Sequence, residues 1–343
     1  MMRMEWRLAV ARHVDKLGPD IHCLKISADG DLISVSTDDP TWEVRYPEYP
    51  GPLADCEVAY RSELTETDRL QVCTDLVEYN PRHAGEKKEV VAFKYTIYQQ
   101  RVEYIWRELH TLKALQGHES FVAFHRVVLD DVSKKVLGFT SQYIAGGTLE
   151  NYRDRPFYFN WLKLTDAIDE LNLGFGIMHQ DVAPRNILFE PSSNNLKVFD
   201  FDRSCLIGDQ QPGRNDVDGV IFTLYETLTK DGHFRRVPFH QQQVGNVEEM
   251  EDWPLVVPLE EGKGGITAYR SFLAEWAEGR RTTRVIKHHS EAKHPVSFPT
   301  YPKLTPFTME VEGGQLRYLR RRRAEVVALG QYVTRWERPA QKE

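Results

Sequence analysis

The chain has 343 residues, 41% of them hydrophobic, and a formal charge of −7 at neutral pH. This length and apolar content suit one bilobal unit or two domains, and the negative balance argues against a dedicated nucleic-acid binder. The four cysteines (Cys23, Cys56, Cys73 and Cys205) form no C-x-x-C pair and lack metal-ligand spacing, the pattern of reduced thiols. Arg3, Glu5 and Arg7 stand where a signal peptide would be apolar, and no apolar run approaches a membrane span. The expectation is a cytoplasmic or nuclear chain, neither secreted nor membrane-bound.

In chain order, Trp6, Val10 and Val14 fall on one helical face, followed by turn-rich sequence at 27–31 and 37–40. Three prolines within residues 47–52 exclude helix and central strand and mark a linker. Residues 89–94 read as a strand ending in Lys94. Ile105, Leu109, Leu112 and Leu115 then recur at intervals of four, three and three, predicting a helix with Glu108 beside its apolar stripe. Residues 121–129 and 136–142 read as strands joined by a turn at 130–133, and Gly146 and Gly147 supply permissive backbone for a bend. Trp161, Leu164, Ile168 and Leu171 predict an amphipathic helix. Val217, Ile221, Leu224 and Leu228 predict a buried one, and a further helix is expected over about 267–278. Residues 281–311, rich in proline and histidine, are expected to wrap the surface. Arg317 with Arg320 to Arg323 is the densest basic run, a solvated helix face or the one place where RNA or another polyanion could touch the chain.

The chemistry concentrates between the two large-helix predictions. Residues 177–189 read I-M-H-Q-D-V-A-P-R-N-I-L-F, with Asp181 five positions before Asn186, and K-V-F-D-F-D follows, ending at Asp202. Phosphoryl transfer from ATP needs one carboxylate to orient a hydroxyl (Asp181), and an amide and second carboxylate to hold Mg²⁺ (Asn186 and Asp200). Here the chain resembles the protein-kinase superfamily, and its H-Q-D-x-x-x-x-N and D-F-D forms are similar to atypical kinase-like proteins of filamentous fungi. The resemblance covers about residues 58–280. It implies a bilobal α+β kinase-like fold: an N-terminal extension over 1–57, a small lobe over 58–142, and a large lobe with a C-terminal extension over 143–343. It also implies that Lys94, held by Glu108, binds phosphates. The main chain of Gln142 and Ile144 would read the adenine edge, Arg185 would meet the transferring phosphoryl group, and Asp216 would hold the catalytic loop. Asp202 would be a further Mg²⁺ ligand, or would only cap a turn or pair with Arg203.

Four departures shape the functional expectation. No glycine lies between Gly51 and Gly85, so the phosphate-covering turn at 70–77 carries Gln71 and Cys73, and Asp75 would repel a triphosphate if it pointed inward. Only Arg203 to Asn215 separates the D-F-D motif from Asp216, too short for a peptide-docking platform. Gln180 stands where many kinases carry an arginine that binds a phosphorylated activation loop, and Asp202 replaces the glycine of D-F-G. The expectation is an ATP- and Mg²⁺-dependent (or Mn²⁺-dependent) phosphotransferase acting on an unidentified hydroxyl acceptor, a small molecule or protein, and not on generic peptides. The alternatives are a pseudokinase scaffold or a kinase fold turned to acyl, nucleotidyl or ligase chemistry.

Overall fold

The computed structural model describes residues 8–18, 21–37, 42–82, 87–152, 156–302, 309–312, 315–318, 322–334 and 340–341. The N-terminal extension holds a separate hairpin, β1 (Cys23–Ile26) and β2 (Leu32–Ser36). The proline-rich stretch after it is no free linker. The Tyr46 hydroxyl donates to the Thr96 carbonyl at 2.7 Å, Val136 N–H donates to the Pro47 carbonyl at 2.9 Å, and Leu53 is fully buried. The prolines leave only a short 3₁₀ turn there, Gly51–Leu53, but the apolar side chains flanking them still found a core.

The small lobe is built on β3 (Val58–Tyr60), β4 (Leu64–Gln71), β5 (Thr74–Tyr79), β6 (Glu89–Tyr95), helix α1 (Val102–Ala114), β7 (Phe124–Leu129) and β8 (Val136–Gln142). Strands β4-β5-β6-β8-β7 form an antiparallel sheet, and β3 joins its far edge parallel to β7. Helix α1 buries Ile105, Leu109, Leu112 and, just past its end, Leu115, as the periodicity requires. Leu109 is fully buried, so truncating it to alanine should cost about 2–5 kcal/mol. A second apolar cluster of Val77, Tyr79, Val91, Phe93 and Tyr95 includes alternate residues of β5 and β6. Strand parity therefore decides which side chains reach the cleft.

The large lobe begins with a short helix α2 (Leu164–Asp169), entered by a 3₁₀ turn and continued by a wider π-helical turn over Glu170–Gly174. Trp161, Leu164, Ile168 and Leu171 are all buried, so the apolar face is as expected although the helix is broken into three pieces. Then come β9 (Ile177–Met178), β10 (Ile187–Glu190), β11 (Asn195–Val198), β12 (Cys205–Leu206), α3 (Asp216–Thr229), α4 (Gly245–Glu248) and α5 (Gly265–Thr282). Val217, Ile221, Leu224 and Leu228 of α3 are buried, and Asn215 caps the helix by accepting Val217 N–H at 2.8 Å. The proline- and histidine-rich stretch packs along this lobe, with Lys293 and His294 N–H donating to the Leu173 and Gly174 carbonyls.

Beyond a hairpin of β13 (Met309–Glu312) and β14 (Gln315–Tyr318), the C-terminal extension returns to the small lobe. It carries helix α6 (Arg323–Ala328), whose Val326 is buried, and strand β15 (Ala340–Gln341), which pairs parallel to β4 and completes a seven-stranded sheet. Between them the Tyr332 hydroxyl donates to Asp130 at 3.0 Å. Most of the basic run at 317–323 lies outside the residues whose side chains are described. No described helix is long and apolar enough to cross a membrane. The whole is a mixed α+β, bilobal, kinase-like fold.

Candidate active site

Alternation along β6 sets one wall of the cleft. Val91, Phe93 and Tyr95 are buried together on one face, so Ala92 and Lys94 point to the other, where they line a hollow of about 320 Å³ between the lobes. Lys94 Nζ lies 2.6 Å from a Glu108 carboxylate oxygen and also donates to Asp200 Oδ1. Glu108 is buried on the inner side of α1, and Asp200 holds a left-handed backbone conformation with φ of 63°. Burial works against the Lys94 ammonium, but Glu108 and Asp200 outweigh it and raise its pKa. Burial lifts the Glu108 carboxyl to about 7, against the pull of Lys94. For Asp200, burial would raise the pKa, but Lys94 lowers it overall. With Glu108, Asp200 and Asp202 all near this one cation, the charged state of Lys94 is the firmer of the two paired assignments.

The opposite wall is the catalytic loop, held from beneath by one carboxylate. Asp216 accepts His179 N–H and Gln180 N–H, both at 2.7 Å, and the Asn172 side-chain amide at 2.9 Å. His179 is fully buried. Its Nδ1 faces Asp181 N–H at 3.2 Å and its Nε2 faces the Phe199 carbonyl at 2.9 Å, so the proton belongs on Nε2. It is a brace for the loop, and its ring packs 4.9 Å from Phe201 of the D-F-D motif.

On this loop Asp181 Oδ1 accepts from Arg185 at 2.7 Å and Oδ2 from the Asn186 amide at 3.1 Å. Asn186 Nδ2 also donates to the Asp181 carbonyl at 2.8 Å. Both amide bonds use the nitrogen, which leaves Asn186 Oδ1 without a protein partner among the described residues. An amide oxygen beside a carboxylate is the donor set a hard cation takes, and Mg²⁺ completes its shell with water and phosphate. No group of three or more His, Cys, Asp or Glu among the described residues would hold a metal by itself. Arg185 lines the nucleotide hollow while bonding Asp181, so it spans both halves of the site.

Other expected residues fall as follows. Gln142 and Ile144 line the hollow where strand β8 ends. Gln142 N–H is committed to the Ala123 carbonyl at 2.9 Å, whereas the Ile144 main chain has no partner among the described residues. The bend after them needs its glycines for two different reasons. Gly147 has φ of 73°, and a Cβ on Gly146 would sit 1.8 Å from the Phe189 carbonyl oxygen. Asp202 pairs with Arg101 at 2.6 Å, 101 residues away, and not with its neighbour Arg203.

Asp75 poses no threat to a triphosphate. It is fully buried on the Val77 and Tyr79 side of β5, facing Arg69 at 3.3 Å, while Thr74 takes the cleft side. Leu70 and Gln71 do line the hollow, so side chains occupy the place where glycines would let backbone approach phosphates. Glu226 is fully engaged by Arg235, at 2.8 and 2.9 Å.

The role of Gln180 was not legible from spacing. Its Nε2 donates to the Arg203 carbonyl at 2.6 Å, its Oε1 accepts Gln211 N–H at 2.6 Å, and its own carbonyl accepts Arg214 Nη1 at 2.7 Å. One neutral amide thus ties down both ends of the short segment between Phe201 and Asp216. A groove of about 400 Å³ in the large lobe, lined by Ile221, Trp253 and Leu273 among others, contains none of the candidate site residues.

Comparison with known proteins agrees with this geometry. Residues 81–229 match the protein kinase domain family. Serine/threonine-protein kinase ppk34 of Schizosaccharomyces pombe is 34% identical over 108 residues, 29% of this chain and 29% of that protein. Probable serine/threonine-protein kinase WNK5 of Oryza sativa subsp. japonica is 26% identical over 114 residues, covering 31% of this chain and 34% of that protein. The MAPK/MAK/MRK overlapping kinase of Mus musculus is 25% identical over 134 residues, 37% of this chain and 31% of that protein. The chain thus spans about a third of the length of these curated relatives. Over the matched segment the chain is similar to protein kinase domains, in keeping with its kinase-like fold.

Proposed function

We propose that this chain is an ATP- and Mg²⁺-dependent phosphotransferase whose hydroxyl acceptor docks without the peptide platform of protein kinases. The observation that carries the reading is Lys94, bonded to both Glu108 and Asp200 across a hollow that Arg185 links to Asp181. A lysine clamped between two carboxylates is a fixed cation for phosphate oxygens. ATP supplies the phosphoryl group, and Asn186 and Asp200 are the residues that would hold Mg²⁺, or Mn²⁺ in its place. Asp181 takes the acceptor proton, and Arg185 lies close enough to neutralise charge on the transferring group. The short segment tied to Gln180 favours a small acceptor, or a protein docked through the N-terminal extension or the stretch after Arg281. The likeness to fungal kinase-like proteins and a place in the cytoplasm or nucleus are part of the same proposal.

A second reading, a pseudokinase scaffold, is favoured by Leu70 and Gln71 in the nucleotide hollow. Thermal stability separates the two. ATP should raise the melting temperature only with Mg²⁺ or Mn²⁺ present. A metal-independent shift would favour the pseudokinase, and no shift with any nucleotide and metal would remove the phosphotransferase reading.

A further inference from the structure

The acceptor side of the cleft is rich in arginine although the chain as a whole carries −7. Three nearby guanidiniums have carboxylate partners: Arg101 with Asp202, Arg185 with Asp181, and Arg235 with Glu226. Two have none among the described residues. Arg203 is exposed. Arg214 is half-buried, donates Nη1 to the Gln180 carbonyl, and stacks with its guanidinium carbon 3.8 Å from the centre of the Phe239 ring. Gln180, the residue before Asp181, meets both residues: its carbonyl accepts the Arg214 guanidinium and its side chain binds the Arg203 main-chain carbonyl. Burial and then Arg203 lower the Arg214 pKa, against the pull of Asp181 and Asp202.

A phosphate on the chain's own segment cannot be the missing anion. Between Arg203 and Asn215 the only hydroxyl is Ser204, which is 0% exposed and bonded to the Phe201 carbonyl and to Thr111 at 2.7 and 2.9 Å. The nucleotide phosphates have their own cation in Lys94, and neither Arg203 nor Arg214 lines that hollow. Arg214, though not Arg203, lines a separate small hollow together with Gln180, Asp181, Asp218 and Arg235.

We propose that Arg203 and Arg214 form an anion subsite for the acceptor, so that the substrate is a hydroxyl compound bearing a phosphate or carboxylate group. The proposal rests on the phosphotransferase reading and names its substrate class. Guanidinium forks match the paired oxygens of both anions, and holding that group would present the hydroxyl to Asp181.

The test uses the full chain saturated with Mg²⁺ and a non-hydrolysable ATP analogue. The probes are inorganic phosphate, acetate, glycerol, glycerol 3-phosphate and a phosphoserine peptide, with affinity measured by calorimetry. Phosphate and glycerol 3-phosphate should bind alongside the analogue, and glycerol should not. The pair Arg203→Gln with Arg214→Gln should weaken anion binding by about tenfold or more while leaving analogue affinity within about twofold. Arg203→Gln alone removes an exposed side chain and keeps the Arg214 anchor. It should weaken binding by about threefold, so the test survives if the double variant misfolds. Tighter binding of the phosphoserine peptide than of glycerol 3-phosphate, lost in the same variants, would place the anion on a protein acceptor. The proposal is overturned if no anion binds, if binding is equal in the variants, or if the analogue displaces it. Nucleotide binding without anion binding overturns this proposal alone, whereas absence of nucleotide binding overturns the reading beneath it.

Discussion

The two halves of the cleft are held by different kinds of interaction. On the nucleotide side, charged groups meet across long sequence separations: Lys94 with Glu108 on α1 and with Asp200 beyond the catalytic loop. On the acceptor side, the neutral amide of Gln180 joins the short segment at Arg203 and Gln211, beside the strand pairing of Cys205 and Leu206 with Met178 and Ile177. An ion-paired lysine is useful because a phosphate can draw on it. A segment fixed by an uncharged amide needs no added phosphate to hold its shape.

The largest effect expected is on turnover. Asp181→Asn keeps the size of the side chain and its contact with Arg185 but removes the proton acceptor. It should lower phosphoryl transfer by about 10²–10⁴-fold with nucleotide affinity nearly unchanged. Asp200→Asn should do the reverse, abolishing most of the metal-dependent thermal shift because it weakens both the cation site and the grip on Lys94. Equal and small effects of the two changes, in single-turnover and thermal-shift measurements, would show that neither half acts as described.

The nucleotide half also depends on how α1 is seated, and here pH is the probe. His110 lies on α1 with its ring 4.5 Å from Trp106, and burial, then Lys113, lowers its pKa to about 4. A histidine whose folded pKa is depressed gives stability that is fully present above its unfolded value near 6.5 and lost as pH falls toward 4. The shift corresponds to at most about 3 kcal/mol. His110→Phe keeps the ring and removes the proton site, so chemical denaturation at pH 7 and pH 4.5 should show a smaller loss in the variant. An unchanged pH slope would mean that other groups dominate.

Much of this was legible because kinase-like chemistry fixes residues at short, ordered spacings. Lys94, Glu108, Asp181, Asn186 and Asp200 could be named from the chain; Lys94, Glu108 and Asp200 line one hollow, and Asp181 bonds Asn186 and the hollow-lining Arg185. The apolar stripes of α1 and α3 were equally plain, since periodicity is a local property. Four features were not. The inward or outward direction of Asp75 depends on strand parity, which a turn placed only approximately cannot supply. The partner of Asp202 is Arg101, and no local rule pairs residues 101 apart. Residues 46–52 looked like a linker because prolines dominate their backbone, although Tyr46 and the adjoining Leu53 are buried. The return of the chain to β4 through β15 likewise has no sequence signal.

The smallest effect separates the halves most directly. Gln180→Ala deletes two side-chain bonds, leaving Gln211 N–H and the Arg203 carbonyl to find water. The backbone there is left-handed, with φ of 64°, and alanine is strained about as glutamine is, so the change reports mainly on the amide. A pair of buried hydrogen bonds lost in this way should cost about 1–3 kcal/mol, concentrated in the segment and not in the lobe as a whole. Hydrogen exchange should therefore quicken at the Gln211 amide while the Asp216-bound amides of His179 and Gln180 keep their protection. Metal-dependent nucleotide binding should be unaffected, because Lys94, Glu108 and Asp200 do not touch Gln180. If exchange at Gln211 is unchanged, the amide does not hold the segment. If nucleotide binding falls together with it, the two halves are one cooperative unit and the contrast between them fails.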